Sequence, residues 1–577
     1  MTTTQVRLLA IIPLLFAGPV VLHDSGFAQF EAGRALTTDQ WLEDLDFVVA
    51  QLKSYHPNLY YRISEEDFDA RIAQSRAAIR NARSDLEAYF AIRRTIAGVQ
   101  DGHTQLLEEG AFGITDLRFP FRLDRFRDGV FITVIAEEHQ SVLGARVVAV
   151  NGTRIEEAVA IAERAVNMDN EFGRVRPALA GFTFARIVYG LGLAEDVESI
   201  ALDMIPVDGE PTTVTFESIV DTRPILWSNR VNIGPTEGEY VHPAATLGKN
   251  TPLHLRRQGP DVAFYSFEHL PEEKALFFQL NGVVADQPGS DETFAEFSDR
   301  LWSYVDEHAD EVDKLIIDLR YNDGGNARRI IPFVNEIIKR DFLNRRGSLF
   351  VLVGKRTYSA AVIFLTELVV HTDVIVLGNP PGCPFNFFSD WVSRGYLPNS
   401  NFELMVASRQ IDNAWSYDTV YFAPDIPAPF SSRDYFDGRD PALEIALHGD
   451  TRTITDLATD EGAEAALAEF LRRRQEYADL KWWRGWDAGG LERQINQRGY
   501  ALLGEGRMTS AYEVFKLNTL LFPASSNVWD SLGELYYNIR EYELALKSYR
   551  KSIEFDPGNR NGRRWIDRII REMGKQD

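Results

Sequence analysis

A single cysteine, Cys383, occurs among 577 residues, which excludes an intrachain disulfide and a zinc site built from cysteines. The ten histidines include no His-Glu-x-x-His motif and no pair at i, i+4, so the sequence indicates no metal site and no metal cofactor. The run from Gly347 to Gly354-Lys355-Arg356 has the wrong spacing for a phosphate-binding loop and lacks its Ser or Thr. A Gly-x-Ser-x-Gly nucleophile elbow is also missing, which argues against an ordinary α/β-hydrolase. Basic stripes are absent: 61 Lys and Arg stand against 85 Asp and Glu, a formal charge of −24, so nucleic acid is not expected as a general partner. What is present is globular composition, with 45% hydrophobic and 25% charged residues, and a length that calls for roughly three or four domains.

The first segment reads as a leader. Arg7 precedes the uncharged run Leu8 to Leu22, and Gly26-Phe27-Ala28 offers small residues to a signal peptidase. The run is shorter than the ~20 apolar residues a bilayer span needs, and Pro13, Gly18 and Pro19 interrupt it. Residues 1–28 are expected to be a signal peptide and the mature chain to be exported, periplasmic or secreted; an uncleaved leader would be a membrane anchor. Residues 29–110 carry apolar positions at three- and four-residue spacing (Trp41, Leu45, Val48, Val49, Leu52, then Phe68 to Ile79 and Leu86 to Ile96), which predicts a helical cap. Residues 111–262 read as β-rich, with strands at Val130 to Val134, Ala145 to Val150 and Thr212 to Phe216 and a hairpin signal at Asn151-Gly152. Residues 263–450 alternate buried strands with helices, and 451–490 read as a linker helix. Residues 491–577 repeat with a period of 34: Gly499 and Gly533, Ala511 and Ala545, Phe515 and Tyr549, Pro523 and Pro557. With Trp529-x-x-Leu532-Gly533-x-x-Tyr536, this region resembles the tetratricopeptide repeat, with Asn559 to Met573 as a capping helix.

Chemistry is expected where the α/β region gathers its loops. The apolar runs Leu276 to Leu280, Leu315 to Leu319, Leu349 to Val353 and Val374 to Leu377 predict strands of a largely parallel sheet. Right-handed crossovers then bring the loops Tyr321 to Asn326, Gly354 to Tyr358 and Asn379 to Asn386 to one edge. Ser359 follows a strand and a turn and opens a helix, so a negative charge developing at its oxygen would meet the helix N-terminus and the Ala360 N–H. The glycines of Asn322-Asp323-Gly324-Gly325 allow a second N–H to approach. On position alone, Ser359 reads equally as a helix N-cap and the glycine pair as a plain turn. In the same way, His103 and Asp101 read as residues of an Asp-Gly turn, and Tyr55-His56-Pro57-Asn58 as a helix end or an approach to a substrate.

Leu315-Ile-Ile-Asp-Leu-Arg320, Asn322-Asp-Gly-Gly325, Thr357-Tyr-Ser-Ala-Ala361 and Gly378-Asn-Pro-Pro-Gly382, with Asp101-Gly-His-Thr104 and Ala423-Pro-Asp-Ile426, resemble the tail-specific, or C-terminal processing, serine peptidases. The likeness runs from about Asp39 to Leu447. It implies a ClpP/crotonase-like α/β core, an N-terminal helical cap and a PDZ-like β-rich insert, which with the C-terminal all-α tetratricopeptide repeats make a multidomain α/β protein. It further implies that Ser359 attacks a peptide carbonyl, with Ala360 and Gly324 or Gly325 as the oxyanion hole and no cofactor. One branch activates its serine with a lysine about 25 residues later; that position falls near Pro384, and Lys355 is the nearest lysine. The other branch, typified by the tricorn core and the retinoid-binding repeats, uses a histidine before the core, which His103 matches. A carboxylate orienting it is implied at Asp418 first and Asp425 second. The expected function is therefore an exported serine peptidase acting on peptides or unfolded protein tails. Its rivals are an inert peptide- or hydrophobic-ligand-binding protein on the same scaffold and a tetratricopeptide scaffold, with a protein partner or self-association through the repeats.

Overall fold

The computed structural model describes residues 35–107, 114–220, 240–242, 247, 252–253, 264–286, 290–414, 419–478 and 490–574. The leader expected at residues 1–28 lies outside these. Among the described residues no helix is long and apolar enough to cross a membrane. The chain packs as two units, one running to residue 415 and including 427–448, the other made of 416–426 and 449–577.

The first unit begins with the helices Thr38–Tyr55, Glu65–Asn81 and Asp85–Ala97. Each starts at a Ser or Thr whose hydroxyl accepts from the N3 backbone N–H, and the first carries a full capping box between Thr37 and Gln40, satisfying donors that a helix start leaves orphaned. Trp41, Leu45, Val48 and Leu52 line one face and are fully buried.

Among the described residues from Phe121 to Val241, an antiparallel sheet is built around Gly129–Ala136, flanked by Phe121–Phe126 and Arg146–Val150 and continued by Ser199–Ile205 and Thr212–Glu217. Asn151 (φ 46°) and Gly152 (φ 77°) make the expected two-residue hairpin turn, pairing Val150 with Thr153. Three helices not expected from the sequence also lie here: Ile155–Glu163, Glu171–Gly181 and Ala185–Gly190. The second is hidden in the sequence by Gly173, Pro177 and Gly181, residues that lower helix propensity, and is started by Asn170, whose side chain accepts from the Gly173 N–H.

The core sheet runs in chain order through Tyr265–Leu270, Ala275–Leu280, Lys314–Asp318, Leu349–Val353 and Ile375–Gly378, with the last four strands parallel. The helices Phe294–Glu307, Ile330–Ile338 and Ala360–His371 alternate with these strands. They meet through an aromatic cluster in which Phe278 contacts Phe297 and Phe333, and Phe333 contacts Trp302 and Phe364. At the carboxyl end of Lys314–Asp318, Arg320 forms paired hydrogen bonds to both Asp318 and Asp440, all three buried. This is a closed structural ion cluster at the mouth of the sheet.

In the second unit, the described residues of the expected linker, 451–478, hold two helices. Gly462, at φ 95°, separates the helices Ile454–Glu461 and Ala463–Glu476. The second is tied to Met508–Leu521 by Ala463 N–H to Glu513 (2.8 Å) and by Lys516 to Glu464 (2.7 Å). Two helix pairs follow, Leu491–Gly504 with Met508–Leu521 and Ser526–Asn538 with Tyr542–Phe555, then the cap Arg560–Met573. The 34-residue period has a packing cause: a Cβ at Gly499 would lie 2.6 Å from the Phe515 ring, and one at Gly533 3.1 Å from Tyr549. The fragment Gly449–Asp577 is therefore expected to unfold cooperatively as a helical protein, with Gly499→Ala costing about 1–3 kcal/mol through overpacking. Thermal circular dichroism checks this, and helicity without a cooperative transition would contradict it.

Candidate active site

The three loops converge as expected. Tyr358 N–H donates to Asn322 O (3.0 Å), Gly382 N–H to Thr357 O (3.0 Å), and the Thr357 hydroxyl to Leu319 O (2.9 Å). Ser359 occupies the N-cap position of Ala360–His371, yet its hydroxyl caps nothing. Its backbone sits at φ 53°, ψ −121°, a region costing a non-glycine residue about 1–3 kcal/mol that persists only where the surroundings enforce it. The hydroxyl instead lies 3.1 Å from His103 Nε2, across 256 residues of sequence. Both residues are buried.

Gly324 (φ 112°) and Gly325 (φ 136°) lie against this serine. A Cβ on Gly324 would fall 2.7 Å from Ser359 Cβ and 3.2 Å from Ala360 N. The Gly324 N–H donates to Asn322 Oδ1 (2.9 Å), so of the two glycines Gly325 is the one whose N–H this side chain does not engage.

His103 lies between two aromatic rings, Tyr358 (centroids 5.2 Å apart) and Phe387 (5.8 Å). Burial lowers its pKa below the ordinary 6.5, with the charge of Asp101 opposing. The imidazole Nδ1 meets the Tyr358 hydroxyl at 3.2 Å, and that hydroxyl donates to Asp169 Oδ2 at 2.7 Å. Asp101 Oδ1 is farther from Nδ1, at 3.9 Å.

Asp101, which the sequence offers only as a turn residue, is a fully buried hub. It accepts from the His103 backbone N–H (2.9 Å), the Thr104 hydroxyl (2.6 Å) and His56 Nε2 (3.2 Å). Since His56 Nδ1 accepts from the Asn58 N–H, its Nε2 carries the proton given to Asp101. His56 thus both ends a helix and pins the histidine loop. Burial pushes the Asp101 carboxyl up, but His56, His103 and Thr104 outweigh it and hold the carboxyl below its usual range.

The segment Asn167 to Gly173, unmarked in the sequence, ties these loops together. Asn167 accepts from the Asp101 N–H (3.1 Å) and donates to Thr104 O (2.5 Å); Asn170 donates to Pro381 O (3.0 Å). Asp169 also accepts from the Gly102 N–H (3.2 Å). Burial, and then the nearby Asp101 charge, push its carboxyl up to about 7.

Of the two carboxylates implied for the imidazole, Asp418 lies outside the described residues. Asp425 is half-buried in the segment 416–426 that packs with the second unit. The side chains described as hydrogen-bond partners of the imidazole nitrogens are Ser359 and Tyr358, and the ring also meets the Phe388 backbone. Lys355 is half-buried near Arg125, Asp124 and Glu163, its amine pushed down to about 8 by desolvation and by Arg125. Among the described residues no cluster of three or more metal-ligating side chains occurs.

Comparison with known proteins gives three kinds of likeness. The tetratricopeptide repeat model matches residues 526–559. A 65-residue stretch is 37% identical to the N-terminal acetyltransferase A complex auxiliary subunit NAA15 of Arabidopsis thaliana, spanning 11% of this chain and 7% of that protein. Among solved structures, the chain is similar to mature CPAF complexed with lactacystin, at 13% identity over 70% of this chain and 96% of that one, TM-score 0.49. It is also similar to the photosystem II D1 C-terminal processing protease, at 14% identity over 70% and 99%, TM-score 0.29. The tricorn protease matches at 11% identity over 72% of this chain and 37% of its own, TM-score 0.33.

Proposed function

We propose that this protein is a serine peptidase that hydrolyses peptide bonds of peptides or unfolded protein tails through an acyl-enzyme. The observation that carries the proposal is the 3.1 Å approach of the Ser359 hydroxyl to His103 Nε2, made by a serine held in a strained backbone and spared from helix capping. In this reading His103 takes the hydroxyl proton as Ser359 Oγ attacks the carbonyl, then returns it to the leaving amine. The tetrahedral oxyanion is received by the N–H groups of Ala360 and Gly325 at the start of a helix, where the dipole favours negative charge. Water repeats the sequence on the acyl-enzyme and frees Ser359. The repeat unit is assigned protein contacts, with a partner or with a second copy.

A fluorophosphonate probe tests the reading: covalent labelling mapped to Ser359 is expected, and an unlabelled native protein would return the scaffold to a binding role. The pH dependence follows from the burial of His103. A base whose pKa is lowered stays neutral, and able to accept a proton, to more acid pH than a free imidazole. The acid limb of kcat/KM should therefore titrate below the ordinary 6.5. A profile that rises only above pH 7 would contradict this.

A further inference from the structure

The geometry points to Tyr358 and Asp169 as a positioning pair that fixes the tautomer of His103, no carboxylate among the described residues being bonded directly to the ring. The inference rests on the peptidase reading above for its consequence, but not for its observation. A tyrosine hydroxyl has one proton. Here that proton is committed to Asp169 Oδ2 at 2.7 Å, so toward His103 the phenol oxygen can act only as acceptor. The imidazole nitrogen facing it at 3.2 Å is Nδ1, which must then carry the ring hydrogen. Nε2 is left with its lone pair directed at Ser359, 3.1 Å away. The alternative tautomer would place two lone pairs against each other at Tyr358 and make Nε2 a donor to the Ser359 oxygen, unable to take its proton.

The surroundings are built for this contact. Gly102 has no side chain where the phenol sits; a Cβ there would be 2.1 Å from the Tyr358 oxygen. The same glycine donates its N–H to Asp169 Oδ2 at 3.2 Å, so the oxygen that receives the tyrosine proton is held from both sides. Asp169 Oδ1 is buried without a hydrogen-bond partner. The function of the side chain therefore resides in Oδ2, and what Oδ2 supplies is an acceptor rather than a charge. Asp101 reaches Nδ1 only at 3.9 Å and spends its short bonds on the loop backbone, Thr104 and His56.

The acceptor role separates two variants of nearly equal size. Asp169→Asn can keep its carbonyl oxygen toward Tyr358 and Gly102, and should preserve both the tautomer and kcat to within a few-fold. Asp169→Leu frees the phenol proton to turn toward Nδ1, driving the ring to the Nε2–H form that cannot accept from Ser359. Tyr358→Phe removes the phenol acceptor and leaves the ring only its backbone contact at Phe388. Both are expected to lower kcat on an unstructured peptide on the order of 10²-fold or more with KM little changed, the cost of a wrong tautomer. The direct readout is nitrogen-15 NMR of the intact protein labelled at histidine, with the His103 signals identified by their loss in His103→Gln. A protonated Nδ1 is expected in the wild type and in Asp169→Asn, and its loss in Asp169→Leu and Tyr358→Phe. Wild-type spectra and kcat in Tyr358→Phe, or an equal fall in Asp169→Asn and Asp169→Leu, would overturn the pairing. Should Tyr358→Phe fail to fold, the Asn and Leu pair decides. A wild-type protein that shows the Nδ1–H tautomer but hydrolyses no peptide would sink the peptidase reading and leave the positioning intact.

Discussion

Ser359→Ala is expected to lower peptide hydrolysis by at least ~10³-fold while leaving the protein folded. The hydroxyl serves no helix cap, so its loss removes no structural hydrogen bond beyond the one to His103. His103→Ala should fall as far in activity, because without the imidazole nothing described near Ser359 can take its proton. It should also cost some stability, since the ring fills the space between Tyr358 and Phe387. Steady-state hydrolysis of an unstructured peptide, read beside far- and near-ultraviolet circular dichroism, checks both. Full activity in His103→Ala would displace the histidine and direct attention to Lys355.

Gly325→Ala should be the most damaging single methyl group in the core. At φ 136° the residue occupies backbone space that side-chain-bearing residues rarely enter, and the added carbon would sit 2.1 Å from Val283 O and 2.7 Å from Val283 C. These are backbone atoms of a segment stitched to the loop by Val283 N–H to Gly324 O and by Asn326 N–H to Val283 O, each 2.8 Å. Relief requires the loop to leave that segment, losing two hydrogen bonds at about 1 kcal/mol each and adding strain of about 1–3 kcal/mol. A fall of roughly 3–6 °C in Tm follows from about 3–5 kcal/mol at about 2.1 cal/mol/K per residue in a unit that runs to residue 415 and includes 427–448. Because the loop also touches Ser359, activity should drop ~10²-fold or more through the displaced oxyanion donor. Scanning calorimetry and peptide hydrolysis measure the two losses, and a wild-type Tm would show that the loop is free to shift.

The core strands were legible because a parallel sheet covered on both faces leaves unbroken apolar runs; Leu349–Val353 begins and ends where its sequence does. Ser359 and His103 were legible through short motifs, Thr357-Tyr-Ser-Ala-Ala361 and Asp101-Gly-His-Thr104, that resemble those of the tail-specific peptidases, since on position alone they read as a helix cap and a turn residue. Asp169 was not. Its partner Tyr358 lies 189 residues away, and an aspartate between Met168 and Asn170 carries no periodic signal. The helix that follows it breaks the usual helical pattern with glycine and proline, so the whole segment reads as turn. Asp101 failed differently: Gln100-Asp101-Gly102 has the composition of an exposed turn, and it is a turn, but one closed over by His56 and Asn167. Burial of a polar residue is a property of what covers it, which in this chain comes from the cap and the insert. The split of residues 454–476 at Gly462 was hidden for a simpler reason, since one glycine between two short helices leaves the charged pattern nearly continuous.

The distance in sequence between the two reacting side chains sets a schedule for the protein's birth. His103 leaves the ribosome 256 residues before Ser359, and at about 5–20 residues per second that is an interval of roughly 13–50 s. Asp169 emerges early in this interval, and the loop at Pro381 and Gly382 that Asn170 and Gly173 grip emerges after it. During synthesis the nascent chain therefore carries an imidazole with no hydroxyl to activate, and its own unfolded tail passes a site that does not yet exist. If the chain is the peptidase proposed above, topology alone keeps the newborn protein from cutting itself until nearly all of its first unit has been made.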